Sequence, residues 1–531
     1  MLSIFHSGRI YTVDSTAPWA EAFAVRDGRI EAIGSNADIL ALADDSTEQR
    51  DLGGAFVMPG SVDVHNHHFI AGREELFELA IPIEADLDGI LGAVEEYVAS
   101  HDLQPDEWIV GSPWASDLLE ALNSPEALKK LDAVSAGHPV MLTDDSHHNR
   151  WANSRAMEIA GVADNATGVL FESAGLPVAR AQAKESTLTL EQQQAASKCA
   201  IETLHSYGIT AFQDAGVSTE IMAALQALDE GGELHAWVVT SMLINDDIFG
   251  FDRIGGNLVF DGEQYRSTHH RPDFVKIFLD GVPPTRTGAF VEPYLPDDAH
   301  PAHHCGDTSL DPDELLGWLW RTAMVGLSAK IHCTGDASVH AVLNAVEALR
   351  ADGFSDTRYH VAHGQFVVDS DIPRFRELGV DADVSPFIWV PGPIHEAISQ
   401  VLPQERADRM HPIRDQLDAG VLVAGGSDWP VSPTPNPWEG IEGLVTRQDP
   451  SGRYPGSLWP EQAVTLAEAI EVFTINGATA MGLAEHCGTL AAGKSADFTI
   501  LDRNPFDADP SDLAETQTVE TWFAGRQVYA A

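Results

Sequence analysis

Continuous apolar runs alternate with amphipathic segments through the middle of the chain. Runs that are apolar at successive positions are typical of parallel strands covered on both faces. They lie at 208–216, 234–242, 274–281, 328–336, 359–365, 380–387 and 421–428. The separating segments read as helices; one of them has Asp311 as N-cap, Pro312 at its first position and Gly326 beyond its end. With the strand before His65 this makes eight units, which predicts an α/β fold built on a (β/α)8 barrel of the TIM type.

The two ends of the chain have a different pattern. Short strand-like segments separated by glycine turns fill residues 1–56 and recur in 487–531, and neither end has enough strands to close a core alone. We therefore predict that these ends pair into one small composite β-sandwich domain, with the barrel in 57–486. Residues 70–190 interrupt the barrel pattern, and we interpret them as an insertion after the first barrel strand that covers the barrel mouth.

Composition narrows the classes of function. Acidic residues outnumber basic ones 81 to 31, so the chain lacks the phosphate-neutralising surface of a nucleic-acid-binding protein. The excess indicates either a solvated surface suited to high salt or a field that favours cationic ligands. We see neither a long apolar run nor a signal-peptide pattern, and we expect a cytoplasmic protein without membrane contact. The four cysteines lie far apart, and we expect free thiols. Whether the chain forms a homo-oligomer stays open.

Side chains that bind metals stand at or near the ends of several predicted strands. They are His65, His67, Lys276, His332, His363 and Asp428. The C-terminal ends of barrel strands converge on one mouth, so these six side chains should meet. Each one alone has an ordinary explanation as a hydrogen-bonded histidine or a turn-capping carboxylate. Burying all of them together without a cation would be costly, and we therefore predict a metal site.

Lys276 is unusual because it lies inside the apolar run "FVKIFLDG". An unpaired ammonium there must be desolvated or must reach outward. The lysine therefore points to the helix layer, pairs with Asp280, or is a neutral amine. A neutral amine can react with carbon dioxide to form a carbamate that bridges two divalent cations.

A set of motifs runs through nearly the whole chain in a characteristic order. They are "PGSVDVHNH", "SHHNRWANSRAMEIAG", "GITAFQDAG", "VKIFLDGVPPTRTGAFVEPY", "KIHCTGD", "YHVAHGQ" and "GGSDWPV". As a set they resemble the amidohydrolase superfamily of metal-dependent hydrolases, and within it amidohydrolase family three.

The resemblance implies a role for each candidate ligand. His65 and His67 would hold one metal with Asp428, His332 and His363 would hold a second, and carboxylated Lys276 would bridge them. Zinc is the expected ion at one or both sites, with manganese, iron and nickel as alternatives. The substrate pocket would be lined by His148, by Trp114 and by the 281–294 loop with Arg286.

Three further features are less specific. His68 extends the H-x-H pair, and we interpret it as a residue that orients a ligand. Asp214 follows a strand and is equally consistent with a structural carboxylate and with a site residue. The segment "HPAHHC" at 300–305 reads as a solvated loop rather than an adventitious metal site.

These observations predict a metal-dependent hydrolase that cleaves a non-peptide C–N bond, of amide or formamide type, in a small molecule. The metal would acidify a water and polarise the carbonyl, while Asp428 would accept the proton of the water and pass it to the leaving nitrogen. One alternative is a lyase, such as a decarboxylase, on the same barrel. Another is a non-catalytic binding or regulatory protein. The complete ligand set favours the hydrolase over both.

Overall fold

The computed structural model describes residues 2–145, 147–185, 187–246, 254–388 and 390–531. Eight parallel strands, each hydrogen-bonded to the next in chain order, form its central sheet. They are β1 (Ser61–Asn66), β2 (Ile209–Val217), β3 (Trp237–Leu243), β4 (His270–Phe278), β5 (Ser328–Cys333), β6 (Tyr359–His363), β7 (Val380–Val384) and β8 (Val423–Gly425). The sheet curls into a nearly closed barrel, and the predicted fold class is confirmed.

Helices follow or precede the barrel strands. Asp311 caps its helix, as the sequence indicates, and forms a capping box with Glu314. Thr465 and Glu468 form another capping box at the start of Leu466–Val472. The helices outside the inserted region are Asn36–Leu40, His68–Phe77, Leu190–Ser206, Thr219–Glu230, Gly256–Val259, Pro312–Met324, Asp336–Ala351, Ile372–Leu378, Pro393–Val401, Gln404–Ala407, Ile413–Asp418, Pro437–Thr446, Leu466–Val472 and Ile475–Ala480. Within the described ranges, none of the helices is both long and apolar enough to cross a membrane.

Strands from both ends of the chain share one sheet. Its six strands, in hydrogen-bonded order, are Arg526–Ala530, Thr518–Phe523, Phe498–Leu501, Phe56–Pro59, Arg9–Tyr11 and Trp19–Ala20. A second sheet has the order Arg29–Gly34, Ala22–Arg26, Leu2–His6 and Glu48–Asp51. Rings from the two sheets pack together: Phe5 and Phe23, which stack on each other in the second sheet, both meet the edge of Phe498 in the first. A composite terminal β-domain is therefore part of the fold, while its boundaries at 56 and 487 stay a prediction.

The segment between β1 and β2 has a sheet and a core of its own. The sheet has the order Val169–Phe171, Asn149–Ala152, Val140–Asp144, Ile109–Trp114 and Leu79–Ala80. The helices of this region are Leu87–Ser100, Leu119–Leu122, Pro125–Val134, Ser154–Ala160 and Leu176–Glu185. Trp114, Leu142 and Trp151 are fully buried among other apolar residues of the same segment. The inserted region is thus an additional folded unit after the first barrel strand, as predicted.

Polar contacts close the barrel between β8 and β1. Asp63 of β1 accepts hydrogen bonds from the backbone N–H (3.0 Å) and the hydroxyl (2.6 Å) of Ser427, which follows β8. The backbone N–H of Asp428 donates to the carbonyl of His65 at 2.7 Å, and that of His67 donates to Trp429 at 2.8 Å. At Gly426 a Cβ atom would lie 2.5 Å from the Cβ of His65, so only glycine permits this approach. We refer to these contacts as the β8–β1 seam.

Removal of the Asp63 carboxylate should destabilise the whole barrel. Asp63 is 2% exposed and also accepts from the N–H of His65 and from Asn66, so Asp63→Ala leaves several buried donors without an acceptor. We expect the free energy of unfolding to fall by roughly 2–4 kcal/mol, which calorimetry at a fixed scan rate detects as a lower melting temperature. The control is Asp51→Ala, an exposed carboxylate that caps a turn at Gly53. Equal melting temperatures for the two variants would contradict this account of the seam.

Candidate metal centre

Two histidines and one aspartate meet at the C-terminal ends of β1 and β8. His65, His67 and Asp428 are buried, and each offers one ligand atom within 4.8 Å of the other two. The Nε2 atoms of both histidines lie 3.6 Å from Oδ1 of Asp428. Two imidazoles and a carboxylate around a common point are a donor set typical of catalytic zinc sites.

The β8–β1 seam positions this group. His65 belongs to β1, His67 follows it, and the hydrogen bond from Asp428 N–H to the His65 carbonyl holds the third member beside them. Asp428 has φ 60°, in the left-handed region that a non-glycine residue adopts at a cost of about 1–3 kcal/mol. Such strain persists where the surroundings dictate the conformation, and it often marks functional positions.

His332 and His363 lie beside this group, at the ends of β5 and β6. Their ring centroids are 4.8 Å apart, and the His363 ring is also 4.8 Å from that of His65. Nδ1 of His363 lies 3.9 Å from Oδ2 of Asp428 and has no hydrogen-bond partner among the residues that the structure describes. Nε2 of His332 lies 3.2 Å from the carbonyl of Gly281 and must donate to it, so Nδ1 is the nitrogen left for a ligand.

Lys276 completes the group of six. Its Nζ lies 3.3 Å from Nε2 of His65 and 4.7 Å from the centroid of the Phe278 ring, and the residue is 1% exposed. The side chain therefore faces the barrel interior, which excludes the helix layer. The Asp280 carboxylate accepts hydrogen bonds from other donors. The alternative in which Lys276 pairs with Asp280 is therefore wrong. Burial, followed by the charge of Lys330, lowers the pKa of Lys276 to about 8.

The protonation states of these side chains are those that a metal ion requires. Burial lowers the pKa of His65, His332 and His363 well below the usual range, so all three imidazoles are neutral at physiological pH. Neutral imidazole is the form that coordinates a cation. Together with the Asp428 carboxylate and the open Nδ1 of His363, these residues suit a divalent ion of the zinc type.

Two residues that the sequence analysis missed support His65. Asp383 of β7 has Oδ2 3.0 Å from Nδ1 of His65, and Lys330 of β5 donates to the same carboxylate oxygen. Both side chains are at most 1% exposed. Each of these two is a charged residue inside an apolar strand, Lys330 in "SAKIHC" and Asp383 in "VDADV". Lys276 shows the same pattern, so the sequence did offer a signal for both.

Asp280 anchors the loop that follows β4. Its carboxylate accepts from the backbone N–H groups of Ala289, Thr334 and Gly335 at 2.9 Å and from the hydroxyl of Ser338 at 2.8 Å. Burial raises the pKa of Asp280 to about 6 despite these bonds. The carboxylate thus joins the segment after β4 to the turn that follows His332.

The residues predicted to contact substrate lie in three different surroundings. His148, on a loop of the inserted region, has its ring centroid 6.3 Å from that of His332, beside the centre. Trp114 is fully buried in the core of the inserted region and donates its indole N–H to the carbonyl of Leu142. Arg286 pairs with Asp297 at 2.9 Å within its own loop. Their roles toward a substrate stay predictions, and the contacts favour His148 over the other two.

The remaining histidines that the sequence singled out contact other residues of the protein. His68 bonds to Asp214 through Nδ1 and contacts Ser197 through Nε2, so it supports the strand end of β2 rather than a ligand. In the 300–305 segment, His300 bonds to Asp297 and His304 to the carbonyl of Arg286. Of the described residues, only His65, His67 and Asp428 form a group of three metal-ligand side chains this close together.

The anchoring role of Asp280 can be measured. Asp280→Asn places an amide N–H₂ against buried N–H donors, and we expect the free energy of unfolding to fall by roughly 2–4 kcal/mol. The matched control is Asp297→Asn in the same loop, where a partly exposed ion pair contributes about 0–1 kcal/mol. Thermal unfolding of the two variants side by side checks this, and a larger effect of the Asp297 variant would contradict it.

Comparisons with known proteins identify relatives of this chain. N-substituted formamide deformylase of Arthrobacter pascens is 27% identical over 98% of this chain and 96% of that protein. Protein LONG AFTER FAR-RED 3 of Arabidopsis thaliana is also 27% identical, over 98% of this chain and 91% of that protein. The crystal structure of an uncharacterized metal-dependent hydrolase from Pyrococcus horikoshii OT3 superposes with a TM-score of 0.79 at 21% identity, over 96% of this chain and 99% of that one, which shows a shared fold. A model of the amidohydrolase family matches residues 48–529, and the chain therefore belongs to the amidohydrolase family.

Proposed function

We propose that the chain is a metal-dependent hydrolase that cleaves a C–N bond of amide or formamide type in a small molecule. The observation that carries the proposal is the buried group of His65, His67 and Asp428 at the mouth of the barrel. Barrel enzymes keep their chemistry at this face. Membership of the amidohydrolase family and the similarity to an N-substituted formamide deformylase support the reaction class.

The proposed site holds one or two divalent ions, with zinc as the first choice. His65, His67 and Asp428 would hold one ion, His332 and His363 a second, and Lys276, carboxylated, would bridge the two. When bound, the metal supplies an acidified water and a Lewis acid for the scissile carbonyl.

Asp428 is placed to carry the proton of the reaction. Its Oδ1 lies 3.6 Å from two imidazole nitrogens, and its Oδ2 lies 3.9 Å from Nδ1 of His363, so the carboxylate faces the middle of the group. It would accept a proton from the attacking water and deliver it to the leaving nitrogen. A cysteine nucleophile is disfavoured, because Cys333 is fully buried and burial raises the pKa of its thiol well above the usual range.

His148 is the best-placed candidate for contact with the substrate. It comes from the inserted region, and its ring centroid lies 6.3 Å from that of His332. A position of this kind suits an imidazole that hydrogen-bonds the amide group or the leaving nitrogen.

The metal content of the protein tests the proposed bridge. We expect protein purified without chelator to contain about two divalent ions per chain, and Lys276→Ala to contain fewer, because the bridging ligand is lost. Elemental analysis by mass spectrometry measures both, with the exposed Lys130→Ala as the matched control. Absence of metal from both the wild-type and the Lys276 protein would overturn the proposal.

The role of Asp428 predicts the kinetics of a variant. Asp428→Asn, assayed with saturating metal, should lower kcat by about 100- to 10,000-fold, the usual contribution of a positioned acid–base group. The assay uses N-alkyl and N-aryl formamides, acyl amides and cyclic amides, with amine release as the readout. Asp369→Asn, an exposed carboxylate after β6, is the control. No amine release from any of these amides, together with release of carbon dioxide from a substrate that carries a carboxylate, would indicate a lyase instead.

A further inference from the structure

Lys330 crosses the interior of the barrel. It belongs to β5, is fully buried, and donates both to Asp383 on β7 and to the carbonyl of Val64 on β1, the latter at 2.8 Å. In an eight-stranded barrel with this strand order, β1 and β5 lie on opposite sides. One ammonium group therefore connects three strands that are not neighbours of one another.

Both contacts of Lys330 lead to the same metal-ligand candidate. Val64 directly precedes His65, so the hydrogen bond to its carbonyl fixes the backbone at that point. Asp383 holds the His65 ring, because the oxygen that faces Lys330 is also 3.0 Å from Nδ1 of His65. A carboxylate paired with an ammonium is an acceptor, so Nδ1 of His65 carries the proton. Nε2 is then the nitrogen with a lone pair, and it faces Asp428 and Lys276.

We propose that Lys330 and Asp383 are positioning residues that fix the orientation and the tautomer of His65, so that Nε2 is offered to the metal. The inference rests on the proposed function, because it requires His65 to bind a metal. Neither residue touches the metal or the substrate; both act through His65.

A purely structural role explains the pair less well. A buried ion pair adds little to stability compared with well-packed apolar residues, because desolvation offsets the Coulomb attraction. Asp381, two residues earlier on β7, is also buried, but it lies near His360 and Arg358 instead of His65. The strand thus provides two buried carboxylates with different neighbours, and only Asp383 contacts a candidate ligand. Partners of this kind commonly change metal affinity by about 10- to 100-fold when they are removed.

The test removes both charges together, so that no lone ion is left in the core. Lys330→Met with Asp383→Leu keeps the interior apolar and deletes the acceptor of His65, and Asp381→Asn is the matched control on the same strand. Chelator-treated proteins are titrated with Co²⁺, whose visible absorption reports both affinity and ligand geometry. We expect the double variant to bind Co²⁺ about 10- to 100-fold more weakly than the wild-type protein, and the control to bind as the wild type does.

A second measurement needs no folded variant of the pair. In metal-free wild-type protein labelled with ¹⁵N-histidine, the nitrogen shifts of His65 should show a proton on Nδ1 and none on Nε2. The His65→Gln spectrum assigns the signal. A proton on Nε2, or rapid exchange between the two tautomers, would overturn the inference.

The outcomes separate this inference from the proposed function. Wild-type affinity in a folded double variant overturns the positioning role and leaves the metal site intact. Failure of the wild-type protein to bind Co²⁺ overturns the proposed function, and the positioning role with it. Weakened binding in the double variant alone supports both.

Discussion

Closure of the barrel between its last and first strands is the constraint on which the rest of the structure depends. His65 lies at the end of β1, His67 directly follows this strand, and Asp428 follows β8. The two histidines are more than three hundred and fifty positions away from Asp428 in the chain. They meet because Asp63 and two backbone hydrogen bonds join these strands, and because Gly426 lets the chains approach. The contacts that complete the fold are thus the ones that assemble the candidate ligands. We therefore expect a substitution that weakens this seam to displace the candidate ligands as well.

Much of this arrangement could be predicted from the sequence, because the barrel converts order along the chain into position in space. Continuous apolar runs identify the strands, and a side chain at the end of a parallel strand must lie at the mouth. His332 and His363 come together for this reason alone. The sequence could not show which residue faces another across the interior. Asp383 and Lys330 carried the same signal as Lys276, but the strand pattern does not name their partners.

The inserted region shows a second limit of sequence reasoning. Trp114 ends a strand of this region and His148 lies on a loop, and both were expected to line the substrate pocket. An aromatic residue suits a core and a pocket equally well, and the structure places Trp114 in the core. Only the three-dimensional packing within the inserted region decides between a core position and a pocket position. His148 lies on a loop that leaves this sheet and reaches the barrel, which the sequence pattern does not reveal.

The inserted region builds its apolar core from its own residues, between 79 and 181. Substitutions in that core can therefore change the shape of the inserted region while the barrel strands keep their register. Under the proposed function, the residues that select a substrate and the residues that hold the metal would lie in separate parts of the chain. Substrate preference could then change during evolution while the metal ligands stay the same.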